Sequence, residues 1–197
     1  MSISDTFSPF TMDYSIDPLA FEPKEEIVRR TLSSMKDAYM EQDAVAKILS
    51  HEDPLIVQVF MAPVPAEKGF LMVNINAVYA GKVGNEYFMT KGHIHDDPVG
   101  APEVYITMKG QGKLVLQTKD GRIHVADMLP GKINYIPATF AHRCVNTGNS
   151  EPLVYIGVFP SATKRDYSFT PADFKELVVN ENGKPKLINN PRYHHAR

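Results

Sequence analysis

Between residues 55 and 159 the chain is a succession of short apolar runs cut at close intervals by turn-forming residues. Runs at 55–61, 71–79, 86–90, 104–108, 113–118, 122–126, 133–136, 143–146 and 152–159 are each too short for an ordinary helix and rich in Val, Ile, Tyr and Phe. Between them stand Gly110 and Gly112, the Lys119-Asp120-Gly121 turn and the Pro130-Gly131 pair. Asp-Gly favours the positive φ of tight hairpin turns. Many short strands at regular spacing with turn signals predict an all-β sandwich or barrel.

The flanks read differently. Residues 1–23 form an arm carrying Phe7, Phe10, Tyr14 and Phe21 among prolines, and so many aromatics imply that it packs on something, its own barrel or a partner's. Over 24–50, Ile27, Val28, Leu32, Met35, Tyr39 and Met40 recur near a helical period, which predicts one bent helix or two short ones with a break at Asp43. At the other end 171–177 reads as helix and 178–188 as a hairpin turning at Asn182-Gly183.

With 197 residues and 43% apolar content, one globular domain with appendages is expected. Net charge is −2 with no concentrated basic run, which disfavours nucleic acid and a polybasic membrane contact. No apolar run is long enough to span a bilayer, and the first residues lack the pattern of a signal peptide. Cys144 is the single cysteine, so no internal disulfide forms and a reducing cytoplasm is expected.

His93 and His95 stand two apart, and on a strand side chains two apart share a face. Glu103 opens the next apolar run, and the antiparallel return of a hairpin would bring it beside the pair. His142 ends a later run. Three imidazoles and one carboxylate suit iron(II), zinc, nickel or manganese and leave coordination positions for a substrate. Lys91, two before His93, shares that strand face or turns outward at the Thr90-Lys91-Gly92 bend. Tyr87 and Met89 are expected below the histidines. A lone histidine is more often a surface or hydrogen-bonded residue than a ligand, and His51, His124, His194 and His195 are read that way.

Gly92-His93-Ile94-His95, Glu103 and Gly110, then Pro137-Ala138-Thr139-Phe140-Ala141-His142 and Asn146, resemble the two motifs of the cupin superfamily. Two departures show: a longer gap between His95 and Glu103, and Thr139 where the second motif has glycine. The fuller strings Gly81-Lys82-Val83-Gly84, Thr90-Lys91-Gly92-His93-Ile94-His95 and Glu103-Val104-Tyr105 resemble the cupin-type phosphoglucose isomerases of archaea and some bacteria. The resemblance implies a cupin double-stranded β-helix, or jelly-roll barrel, over 51–170. An arm and helical segment (1–50) and a C-terminal extension (171–197) complete one structural domain.

It also implies a metal-dependent aldose–ketose isomerase of glucose 6-phosphate and fructose 6-phosphate. One divalent ion per chain, iron(II) foremost, would be held by His93, His95, Glu103 and His142. The enzyme would be a cytoplasmic homodimer. Thr90 and Gly92 match positions that hold the sugar phosphate, and Tyr167 matches a pocket tyrosine. Glu103 is the expected base, with Tyr167 or Tyr105 bonding the substrate. Lys91 or Arg165 would add a phosphate donor, a guanidinium being well shaped for that group. Val57, Asn76, Phe159 and Arg165 stand where the archaeal enzymes have tyrosine, threonine, tyrosine and histidine, which opens the identity of the sugar. The alternatives are an isomerase of another sugar phosphate, a cupin dioxygenase and a non-enzymatic sugar-binding cupin.

Overall fold

The computed structural model describes residues 7–24, 26–95, 101–167 and 173–193. In chain order its strands are β1 (Asp13–Ile16), β2 (Leu19–Glu22), β3 (Glu26–Thr31), β4 (Leu55–Met61), β5 (Leu71–Val78), β6 (Lys82–Val83), β7 (Glu86–Tyr87) and β8 (Ile94–His95). There follow β9 (Glu103–Lys109), β10 (Gly112–Gln117), β11 (Ile123–Met128), β12 (Ile133–Ile136), β13 (Ala141–Asn146), β14 (Leu153–Pro160), β15 (Arg165–Asp166), β16 (Glu176–Glu181) and β17 (Lys184–Asn189). Two short helices, α1 (Leu32–Met35) and α2 (Gln42–Leu49), lie between β3 and β4. No helix among the described residues is long and apolar enough to cross a membrane.

One wall is a six-stranded antiparallel sheet in the order β12-β9-β14-β5-β4-β3. The other is β11-β10-β13, extended by the bridges Met89↔Val145 and His93↔His142 toward β8 and β15. Alternation along the strands supplies the core. Ile56, Val78, Leu114 and Leu153 are fully buried and, with Tyr105, Cys144 and Tyr155, fill the space between the walls. Each such aliphatic side chain is worth about 1.5–3 kcal/mol in burial. Asn146 clasps the walls together: its amide donates to Val78 O at 2.8 Å and Glu151 O at 2.9 Å. The result is a jelly-roll barrel, the architecture expected from the sequence.

The outer face of the six-stranded sheet is covered by the chain's own arm. Phe21 inserts among Phe60, Met72, Ile75 and Val154, and Phe7 packs edge-on against Phe70 at 5.3 Å. Lys109 pairs with Asp17 at 3.0 Å and pins the β1–β2 hairpin.

The expected helix over 24–50 is corrected. Its first third is β3, which pairs with β4 as the outermost strand of the large sheet. Ile27, Val28 and Thr31 are β-branched and fit a pleated edge as well as they fit a helical stripe. The free edge of β4 decides between them, since β3 supplies its missing backbone partners. Leu32, Met35 and Tyr39 are buried as their spacing suggests, but along a path of one helical turn, a 3₁₀ turn and an extended residue. Asp43 lies in the first turn of α2 rather than at a break. In the expected helix at 171–177, residues 171 and 172 lie outside the described residues, while Glu176 and Leu177 belong to β16. That strand is held on one side by β17 and on the other by Glu86 of β7.

Candidate metal centre

His93 and His142 face each other across an antiparallel bridge, exchanging N–H···O bonds of 3.2 and 2.9 Å. Directly opposed residues project to the same side of a sheet, so this wall contributes three imidazoles. Glu103 arrives from the opposite wall. β8 pairs with β15, whereas β9 pairs with β12 and β14, so the expected hairpin return is replaced by a crossing from one sheet to the other.

The geometry is that of a donor set. One ligand atom from each of His93, His95, Glu103 and His142 lies within 4.8 Å of the others. His93 Nε2 and His95 Nε2 are 3.0 Å apart, and Glu103 Oε2 lies 3.6 Å from His95 Nε2 and 3.2 Å from His142 Nε2. Tautomers are set behind the site. His95 Nδ1 lies 3.0 Å from Ala101 O and His142 Nδ1 3.1 Å from Phe140 O. A carbonyl only accepts, so each Nδ1 carries the proton and each Nε2 offers a lone pair inward. Glu103 Oε2 and His142 Nε2 are buried without a hydrogen-bond partner. Lone pairs converging without donors are costly unless a cation joins them, and one divalent ion fits this set.

His93, Glu103 and His142, with His95 buried beside them, line a cleft enclosing about 640 Å³, part of it open to solvent. Thr90, Lys91, Gly92, Tyr105 and Tyr167 line it. Tyr167 is 36% exposed and leans over His93 with ring centroids 5.5 Å apart. Tyr105 lies against His142 at 5.9 Å and Tyr155 at 4.6 Å. The backbone of Arg165 pairs with that of His95, and its side chain lies outside the described residues. Val57 and Asn76 face the cleft, and the Phe159 ring lies against His95 with centroids 5.9 Å apart and a tilt of 45°.

Lys91 lines the cleft, so the bend at Gly92 does not turn it outward. Gly92 has φ 82°, and a Cβ there would lie 2.6 Å from Phe174 Cε2. The bend also breaks the alternation: Met89 accepts from Arg143 Nη1 at 3.5 Å and Tyr87 from Asn180 at 2.7 Å. Neither packs under the histidines as expected. Arg143, on the strand face opposite His142, is wholly buried over the Phe174 ring at 4.0 Å. Burial lowers its pKa to about 10, and it backs the Gly92 bend. Burial pushes the Cys144 thiol well above its ordinary pKa, which keeps it inert.

Residues missed by motif reading also line the cleft: Val28 and Arg30 of β3, Val59, Asn74 and Tyr155. For β3 the helical reading hid the alternation that turns residues 28 and 30 to one side. Gly157 is a second silent participant. A Cβ there would lie 2.5 Å from Asn74 Oδ1, 3.2 Å from Tyr105 Cε1 and 3.3 Å from Glu103 Oε1.

A jelly-roll barrel that gathers three imidazoles and a carboxylate at its mouth is a cupin with a candidate metal centre. Residues 58–187 match the family model described as glucose-6-phosphate isomerase. A protein of Pyrococcus horikoshii named glucose-6-phosphate isomerase is 35% identical, over 94% of this chain and 97% of its own. One of the same name from Thermococcus litoralis is 36% identical, over 94% of this chain and 96% of its own. The chain belongs to the glucose-6-phosphate isomerase family. Among solved structures, oxalate decarboxylase from Bacillus subtilis aligns with a TM-score of 0.45 and 21% identity, over 58% of this chain and 28% of that one.

Proposed function

We propose that the chain interconverts glucose 6-phosphate and fructose 6-phosphate, using one iron(II) ion per chain held by His93, His95, Glu103 and His142. The carrying observation is the convergence of four ligand atoms within 4.8 Å of one another, three of the four residues lining the cleft, in a chain of this family. When bound, a divalent ion supplies Lewis acidity to the neighbouring carbonyl and hydroxyl oxygens of an opened sugar. Zinc, nickel and manganese share the donor set. Metal analysis of protein purified without added metal is expected to find iron.

Glu103 is the carboxylate among the described residues lining the cleft. In this reading it takes the proton from C2 of the aldose and returns it to C1, while the proton of O2 ends on O1, so the isomer forms with no net gain or loss. A carboxylate bound to a cation is a weak base, so Glu103 leaves the imidazoles during turnover. Tyr167 and Tyr105 bond the sugar hydroxyls. Thr90 Oγ1 already accepts the Cys144 N–H at 3.0 Å, which leaves its own proton for the phosphate. Lys91 and the Gly92 amide add further donors.

The test is conversion of fructose 6-phosphate by metal-loaded protein, with mannose 6-phosphate as the competing substrate. Activity is expected to vanish on chelation and return with one divalent ion. Glu103→Gln is expected to lower kcat by 10²-fold or more, the scale of a lost general base. Retention of both full metal content and near-normal rate in that variant would sink the assignment of Glu103.

The same reading makes the protein a cytoplasmic homodimer. Ile133 and Tyr135 on the edge strand β12 are 68% and 63% exposed and support a joint along that edge. Sedimentation of Ile133→Asp against the unaltered protein tests it, with dissociation expected.

A further inference from the structure

β3 carries a cation into the cleft. Arg30 stands opposite Val57, and Val57 opposite Val78 of β5, so Arg30 shares the inner face of the large sheet. Val57 is short and leaves the guanidinium room above it. Arg30 Cζ lies 5.5 Å from the centroid of the Tyr167 ring. Lys91 Nζ, from the other wall, lies 5.8 Å from the same centroid. Two cations thus converge on one ring, which itself leans over His93. Among the described residues neither cation has a carboxylate partner. Lys109 of β9 and Lys113 of β10 are by contrast paired, with Asp17 and Asp127.

Two unpaired like charges at the mouth of one cleft repel each other and favour an anion between them. The floor of the cleft is built to take a cation and the rim to take an anion. A molecule that satisfies both carries adjacent carbonyl and hydroxyl oxygens at one end and a phosphate at the other. A guanidinium meets phosphate oxygens with two parallel N–H donors, whereas an ammonium acts as a point charge. We propose that Arg30 is the principal phosphate-binding residue of the site, with Lys91 as its electrostatic partner. The N-terminal strand β3, outside every motif, is then part of the substrate site. The proposal rests on the sugar-phosphate reading above.

The test compares Arg30→Met and Arg30→Lys with Arg29→Met, whose side chain is exposed on the opposite face of β3. Each metal-loaded protein is titrated calorimetrically with inorganic phosphate and assayed with fructose 6-phosphate. Arg30→Met is expected to weaken phosphate binding by about tenfold to a hundredfold, the range for a lost charged hydrogen bond. KM should rise by a similar factor with kcat within a few-fold, since binding common to ground and transition states is removed. Metal content should not change. Arg30→Lys keeps charge and packing and is expected to fall between, and Arg29→Met to match the unaltered protein. Unchanged phosphate affinity in both Arg30 variants overturns the proposal while leaving an active isomerase intact. Phosphate binding that depends on Arg30 in a protein without isomerase activity supports the anion site and removes the isomerase reading instead.

Discussion

Thr139 has φ 75°, a region that β-branched residues enter only under strain. It lies in the turn where Phe140 N–H donates to Pro137 O at 3.4 Å, three residues before His142 of the candidate metal centre. Holding a side chain in so sparse a region costs about 1–3 kcal/mol. Thr139→Gly removes that cost. The greater freedom of glycine in the unfolded chain offsets roughly 0.4–1 kcal/mol of the gain. Thr139 is exposed, so no core contact is lost. The net expectation is a stabilisation of about 1–2 kcal/mol. For a chain of this size that raises Tm by about 2–8 °C. Thr139→Ala is the control: it trims the side chain but keeps the Cβ, so it should gain little. Calorimetry of the three metal-free proteins decides the matter. A glycine variant no more stable than the unaltered protein, or an alanine variant that gains as much, refutes the argument that φ at this turn carries the strain.

Gly157→Ala keeps an ordinary backbone but puts a methyl 2.5 Å from Asn74 Oδ1, an atom held by the Asn76 amide at 2.7 Å. Overpacking of this kind costs about 1–3 kcal/mol, and a lower Tm together with weaker metal affinity by titration is expected, because Glu103 is also pressed. Removing the metal by chelation should lower Tm by about 5–10 °C if the ion had been present at a hundred times its Kd, checked by thermal scans with and without restored ion. Asp53 accepts from Ser33 N–H at 2.8 Å and Ser33 Oγ at 2.6 Å, and these bonds hold its carboxyl below the ordinary carboxylate range. A depressed folded-state pKa contributes stability that is present above the unfolded value of about 3.9 and lost as pH falls through the folded one. Asp53→Ala should therefore lower Tm at pH 7, and the difference from the unaltered protein should shrink as the pH drops below about 4.

The strands of the barrel were legible because their alternation is set locally. Val104 to Met108 reads the same in a lone peptide as in the six-stranded sheet. β3 was not, because Ile27, Val28 and Leu32 satisfy a helical stripe and a strand edge alike, and only the free edge of β4 distinguishes them. The same loss hid Arg30, whose position in the cleft follows from its partner Val57 and from nothing adjacent in the sequence. The His93–His95 pair was visible from spacing alone, and His142 from its motif. Thr139 was visible as a departure from a glycine position; the positive φ gives that departure its physical meaning.

Glu103 shows how residues that do converge can be joined by a path other than the expected one. A hairpin return would have placed carboxylate and imidazoles on one sheet, moving together. In the structure the histidines stand on β8, β13 and the bend before them, while Glu103 stands on β9 of the facing wall. A shared ligand would therefore tie wall to wall, and its binding would be coupled to how tightly the barrel mouth closes. The proton-transfer role proposed for Glu103 would require it to part from the imidazoles. A rotation of the Glu103 side chain would suffice and would leave the backbone ladders intact, in a mouth where Tyr167 is exposed. In that reading Gly157 acquires a reason. With no Cβ beneath it, the carboxylate has room to turn, and the alanine variant should slow turnover more than the loss of metal affinity alone accounts for.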